Sequence, residues 1–135
     1  MSKVALDSSV AIPLLMRSHP EHRTVRRLIG TREVSMTGHS LAETYSVLTR
    51  LPGDARLLPS DAARLLSTGF AAPMLLDPII AADLPQLLAA HGVAGGAVYD
   101  AMIARSVKGG NVTLLTRDQR AAATYAALDV EFEFV

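Results

Sequence analysis

Four carboxylates stand where residue type and spacing could do chemistry. Asp7 directly follows the apolar run Val4-Ala5-Leu6, and Asp118 follows Thr116 at the end of another. Either acid can cap the helix after it, since a carboxylate at that position accepts a bond from a free backbone N–H. Glu43 closes Ser40-Leu41-Ala42-Glu43, which fits the capping-box pattern of Ser followed three residues later by Glu. Asp100 has no such local role. It lies in Gly96-Ala97-Val98-Tyr99-Asp100-Ala101-Met102-Ile103-Ala104, a stretch so apolar that most of it must be buried. No Lys or Arg precedes it within a helical turn, and Arg105 is off its face. A buried carboxylate needs a partner. If the four acids meet, their mutual repulsion requires a shared proton or a bound cation. An oxygen-only cluster without His or Cys suits Mg²⁺, or Mn²⁺ in its place.

Composition narrows the alternatives. The chain has 135 residues, enough for one hydrophobic core, and is read as a single domain over 1–135. Half of it is hydrophobic and 19% charged, which excludes intrinsic disorder. The absence of cysteine removes thiolate catalysis, zinc ribbons and iron–sulfur clusters. Three Tyr, three Phe and no Trp disfavour a protein that grips single strands on aromatic platforms. Thirteen basic against 13 acidic residues argue against attachment to nucleic acid by bulk charge. Asp7 interrupts any signal-peptide core, and no apolar run reaches the ~18 residues of a membrane span, so the expected location is cytoplasmic, with no membrane partner.

The elements that must position the acids alternate between two periods. Strands are expected at 4–6, 33–37, 73–77 and 112–116, with an edge strand over 130–135 where Glu131 and Glu133 alternate with apolar residues. Helices are expected around 8–15 (distorted by Pro13), 22–29, 40–50, 60–68, 81–91 (bent or restarted by Pro85), 96–108 and 119–128. In helix 22–29, Val25, Leu28 and Ile29 should face inward and Arg23, Arg26 and Arg27 outward. Strands alternating with helices give an α/β class: a three-layer α/β/α domain with a central, mostly parallel sheet. In such sheets, sites form at strand carboxyl ends near the switch in strand order. All four acids are expected at that edge, with Glu43 in the first turn of its helix.

The motifs Val4-Ala5-Leu6-Asp7-Ser8-Ser9-Val10, Leu41-Ala42-Glu43, Tyr99-Asp100-Ala101 and Leu115-Thr116-Arg117-Asp118 resemble the PIN-domain ribonucleases, most closely the VapC toxins of bacterial toxin–antitoxin pairs. The resemblance spans essentially the whole chain. It implies metal-assisted hydrolysis of RNA phosphodiester bonds by an Mg²⁺-dependent endoribonuclease, with Asp7 and Asp100 as principal metal ligands. Glu43 and Asp118 would complete the acidic pocket, directly or through water, and Ser9 and Thr116 would hold carboxylates or waters in place. It further implies a cognate small antitoxin and a homodimer. One departure is Arg120, where many relatives carry a further acid; this weighs against a second tightly held metal.

An acidic pocket repels RNA, so cations elsewhere must hold it. Arg117 and Arg120 flank Asp118 and are candidates for phosphate contact, or for a structural bridge into the acids. Arg17, Arg23, Arg26, Arg27 and Arg32 form a basic segment that is either an RNA-binding face or a solvated helix surface. His19, His22, His39 and His91 read as surface or loop residues, with His39 close to Glu43 in sequence. Leu57–Leu66 and Leu84–Leu88 read as core more than as interaction surface. No Gly-x-Ser-x-Gly elbow, phosphate-cradling loop or dinucleotide fingerprint is present. Two other readings stay open: a catalytically silent PIN-like RNA-binding or scaffold domain whose acids are only caps, and a phosphatase, which would release inorganic phosphate from small esters.

Overall fold

Val4, Ala5 and Leu6 are wholly shielded from solvent, and their side chains alternate between two apolar layers: Ala5 with Leu114 on one face, Val4 and Leu6 with Leu115 on the other. A strand buried on both faces belongs at the centre of a parallel sheet. In the computed structural model, which describes residues 2–135, that strand is β1 (Lys3–Leu6). Two helices follow, α1 (Ser8–Leu15) and α2 (His22–Ile29), before β2 (Glu33–Met36). Then come α3 (Gly38–Leu48), α4 (Pro59–Thr68), α5 (Pro78–Ala82), α6 (Leu84–Ala90) and α7 (Ala97–Val107). The chain ends with β3 (Val112–Thr116), α8 (Gln119–Ala127) and β4 (Phe132–Phe134).

The strand order is β2-β1-β3-β4 and every pairing is parallel. Val10, Ala11, Val25 and Ile29 of α1 and α2 cover one face of the sheet. Ala101, Ile103, Ala104 and Val107 of α7, with Ala121 and Tyr125 of α8, cover the other. The result is a three-layer α/β/α architecture. A separate apolar cluster, Leu48, Ala62 and Leu66, joins α3 to α4, and Leu88 enters the α7–α8 layer, so both segments supply core. Because the chain leaves β1 for β2 and later returns to β3, the switch point lies between β1 and β3. Their carboxyl ends carry Asp7 and Asp118. Among the described residues, no helix is long and apolar enough to cross a membrane.

Several local expectations need correction. Residues 73–77 form no strand, only one parallel bridge between Met74 and Thr37. Pro73 has no N–H to donate, and Asp77 is taken by the cap of α5, accepting from Ile79 N at 2.8 Å. Helix 81–91 is two helices: Pro85 lies in the first turn of α6, where its missing N–H is tolerated. Leu28 is 45% exposed, so the buried stripe of α2 narrows to Val25 and Ile29. Most consequentially, α3 starts a turn earlier than its Ser-x-x-Glu pattern suggests. Thr37 is the N-cap: its hydroxyl accepts from Ser40 N at 3.0 Å, and Ser40 Oγ accepts from Thr37 N at 2.9 Å. Glu43 therefore lies in the second turn and caps nothing.

This reassignment predicts the effect of two substitutions. Thr37→Ala, which removes a cap whose two members, Thr37 and Ser40, are both buried, should cost ~1–2 kcal/mol in denaturant unfolding. Glu43→Gln should cost nothing.

Candidate active site

Asp7 is the innermost of the acids, with 4% of its surface exposed. Its Oδ1 accepts from Ser9 N at 3.1 Å and from Ser9 Oγ at 2.5 Å, so it does cap α1. Its Oδ2 accepts from the hydroxyl of Tyr125 at 2.9 Å. Tyr125 has no solvent exposure and arrives from α8, across the sheet from α1. Burial pushes the Asp7 carboxyl above its ordinary range, and the bonds from Ser9, Thr116 and Tyr125 partly offset this. The Tyr125 phenol is raised in turn, first by burial and then by the charge and hydrogen bond of Asp7.

A second set of bonds locks β3 to this edge. Ser9 Oγ lies 3.4 Å from Thr116 Oγ1 and accepts from Arg117 N at 2.8 Å, while Thr116 Oγ1 accepts from Asp118 N at 3.1 Å. Asp118 is exposed and caps α8 through Arg120 N at 2.9 Å. Asp100 is half-buried in the first turn of α7, less enclosed than its apolar surroundings suggest, because Tyr99 beside it opens to solvent. Among the described residues nothing donates a hydrogen bond to Asp100. Burial, then the charges of Asp118, Asp7 and Glu43, push its carboxyl from 3.8 to about 6, with His39 acting in the opposite direction. Glu43 is raised by burial and by Asp7. The other three acids, drawn from both central strand ends and from α3, thus all lie within electrostatic reach of Asp100 on α7.

His39 belongs to this group and is not a surface residue. Its Nε2 is buried without a hydrogen bond, 3.5 Å from Glu43 Oε1. Burial lowers its basicity and Asp100 raises it. The interval of four between His39 and Glu43 was its signal in the sequence. Tyr125 also left a trace: it shares the buried face of α8 with Ala121 and Leu128, where a phenol must find a partner.

The arginines divide differently. Arg117 reaches Glu21 at 3.8 Å and the carbonyl of Val135 at 3.4 Å, so it bridges to the start of α2 and not into the four acids. Arg32 is similarly engaged, with Glu133 at 3.5 Å and the Leu28 carbonyl at 2.7 Å. Arg120 is exposed beside Asp118, and Arg17, Arg23, Arg26 and Arg27 are exposed.

The donor set fits a hard divalent cation: carboxylate oxygens, one imidazole and no thiolate. Among the described residues, no three His, Cys, Asp or Glu side chains stand close enough to ligate one ion together. That looseness is compatible with Mg²⁺, which keeps several waters and uses one or two carboxylates directly. Asp7, pinned on both oxygens, and Asp100, with neither oxygen engaged, would be the direct ligands.

The sequence matches the PIN domain family over residues 4–127. It is 52% identical over 127 residues to Ribonuclease VapC27 of Mycobacterium tuberculosis, covering 94% of this chain and 93% of that one. The chain is a PIN domain of the VapC family. Its fold is shared with the crystal structure of M. tuberculosis VapC20, described as a sarcin–ricin loop cleaving toxin (TM-score 0.69, 18% identity, 90% of this chain and 94% of that one). It is also shared with M. tuberculosis VapBC-5, of the VapBC toxin–antitoxin systems (TM-score 0.56, 23% identity, 100% and 98% covered). In this PIN domain the acids lie at the β1–β3 switch point, where doubly wound sheets place their ligands.

Two predictions follow from the geometry. Tyr125→Phe leaves a buried carboxylate oxygen unpaired and should cost about 1.5–3 kcal/mol in denaturant unfolding. Asp100 is protonated in the native state between pH 3.8 and about 6, where the unfolded chain has already ionised. Stability without metal should therefore fall as pH rises through that window and level off above it. Asp100→Asn should flatten that slope and melt higher than wild type in EDTA at neutral pH, as read by calorimetry.

Proposed function

We propose that this protein is an Mg²⁺-dependent endoribonuclease toxin that hydrolyses RNA phosphodiester bonds. The observation that carries the reading is three raised carboxyls at one edge, Asp7 by burial, Glu43 by burial and the charge of Asp7, and Asp100 by burial and the charges of Asp118, Asp7 and Glu43, with no Lys or Arg paired to any of the three among the described residues. Such a cluster is costly unless a cation is bound there. Asp7 and Asp100 would hold the Mg²⁺, which when bound would supply Lewis acidity that makes a water more acidic and offsets charge on the scissile phosphate. Asp7 contributes a carboxylate whose direction is set by Ser9 and Tyr125. Glu43, held above the ordinary carboxylate range, is suited to take the proton of the attacking water. Asp118 and Thr116 orient solvent at the β3 end, and Ser9 keeps Asp7 and the Arg117 backbone in register. Arg120, exposed at the start of α8, is the nearest arginine to Asp118 without an ion pair among the described residues, and it contacts RNA phosphate; Arg117 supports from its bridge to Glu21.

The name of the relative at 52% identity, a ribonuclease, supports the substrate class. The toxin–antitoxin membership of VapBC-5 supports inhibition by a cognate small antitoxin. Exposed Leu58, Leu75 and Ile79 supply apolar surface for that partner or for a homodimer. The location is cytoplasmic, where RNA and antitoxin meet. The competing reading, a silent PIN-like scaffold, draws on the fact that Asp7 and Asp118 do cap helices. It leaves Glu43 and Asp100 unexplained, since neither caps anything.

The test is cleavage of cellular RNA by the purified protein, with 5′ ends mapped by sequencing. Cleavage should require Mg²⁺, return with Mn²⁺ after EDTA treatment, and fall to background in Asp100→Asn, which removes a charged metal ligand. Full cleavage by a folded Asp100→Asn protein would contradict the site.

A further inference from the structure

Tyr99 is 54% exposed, immediately precedes Asp100, and its hydroxyl has no partner among the described residues. Its ring nevertheless has a defined orientation. It stacks on the His39 imidazole with centroids 5.1 Å apart and planes within 8°. His39 is itself wedged against Glu43 at 3.5 Å. One face of the phenol ring is therefore covered by a residue of the acid cluster, and the exposed part lies on the opposite face and edge. An aromatic ring fixed in this way at the rim of a reaction centre offers a preformed flat surface.

Electrostatics gives that surface a use. The acids repel phosphate, and of the two arginines flanking Asp118, Arg117 is committed to Glu21, which leaves Arg120 alone to offset that repulsion there. A substrate strand beside this centre gains from a contact that leaves the carboxylates' charge intact. Stacking of a base on an aromatic ring is such a contact: uncharged, tolerant of sequence and insensitive to salt. We propose that Tyr99, backed by His39, is the stacking platform for the nucleobase beside the scissile phosphate of a single-stranded RNA segment. This rests on the ribonuclease reading above and adds to it a substrate-positioning residue. It also revises the inference from scarce aromatics: a single ring suffices when it stands next to the acids.

The experiment couples the ring to the base. Oligoribonucleotides carrying one cleavable site are prepared with the base removed at each flanking position in turn, and compared on wild type, Tyr99→Leu and Tyr99→Phe. One abasic position should raise the wild-type KM roughly 5- to 150-fold, the range for one base–aromatic stack, with kcat far less affected. Tyr99→Leu should show the same loss on intact RNA and no further loss at that position. Tyr99→Phe should behave as wild type, and the Tyr99 contribution should not change with salt. Independent, multiplying losses, or no sensitive position, would overturn the platform. A second measurement needs no cleavage: an RNA scanned with 2-aminopurine, in EDTA at low salt, should be quenched by wild type and not by Tyr99→Leu. Tyr99-dependent quenching without cleavage would keep the platform and reject the nuclease; cleavage without base coupling would do the reverse.

Discussion

Asp7 is a carboxylate kept almost wholly out of water at the end of the central strand, and the rest of the edge is arranged around holding it there. Its two oxygens are claimed by different layers: Ser9 from α1 on one face of the sheet, Tyr125 from α8 on the other. Ser9 and Thr116 then join α1 to β3, and the Thr116 hydroxyl orients the Asp118 backbone. One buried charge therefore fastens all three layers at the point where the strand order switches. Without those donors, burial would be unopposed and the carboxyl would be expected to stay protonated.

The cost of this arrangement is repulsion that the protein does not relieve by itself. Glu43 is pushed up by burial and then by Asp7, Asp100 by burial and then by Asp118, Asp7 and Glu43, and among the described residues His39 is the basic group that acts on Asp100 in the opposite direction. Arg117 is tied to Glu21, Arg32 to Glu133 and the α2 arginines are exposed along that helix, while Arg120 beside Asp118 makes no ion pair among the described residues. A formal charge of zero thus conceals a segregated molecule, with an acidic edge at the switch point and cationic surface on α2. Local instability of this kind is a recurring feature of sites built for a ligand the apoprotein lacks.

Much of this was legible in the residues themselves. The buried run Val4-Ala5-Leu6 and the clear strand at 112–116 announced a parallel sheet, and acids after such strands announced the edge to inspect. Glu43 was harder to place, because Ser40-Leu41-Ala42-Glu43 reads as a capping box while Thr37, one turn earlier, takes the cap. The segment 73–77 has strand composition, yet Pro73 and the capping of α5 by Asp77 leave it a single bridge. Tyr125, and the stack that His39 makes beyond its interval of four to Glu43, were not legible for another reason. Their roles depend on partners 118 residues away for Tyr125 and 60 away for the Tyr99 stack, which local pattern does not register. Arg117 shows the converse: proximity in sequence to Asp118 suggested phosphate, and tertiary packing turned it to Glu21.

Calorimetric titration with Mn²⁺ in buffers of different ionisation enthalpy shows whether these crowded carboxylates hold a divalent cation. Because Asp100 titrates at about 6, an ion bound there must displace protons near that pH. Binding should release protons around pH 6, the release fading as the pH approaches ~8, and Asp100→Asn should lose it. Binding with no proton release at pH 6, or equal binding by Asp100→Asn, would mean that these carboxylates do not hold the ion.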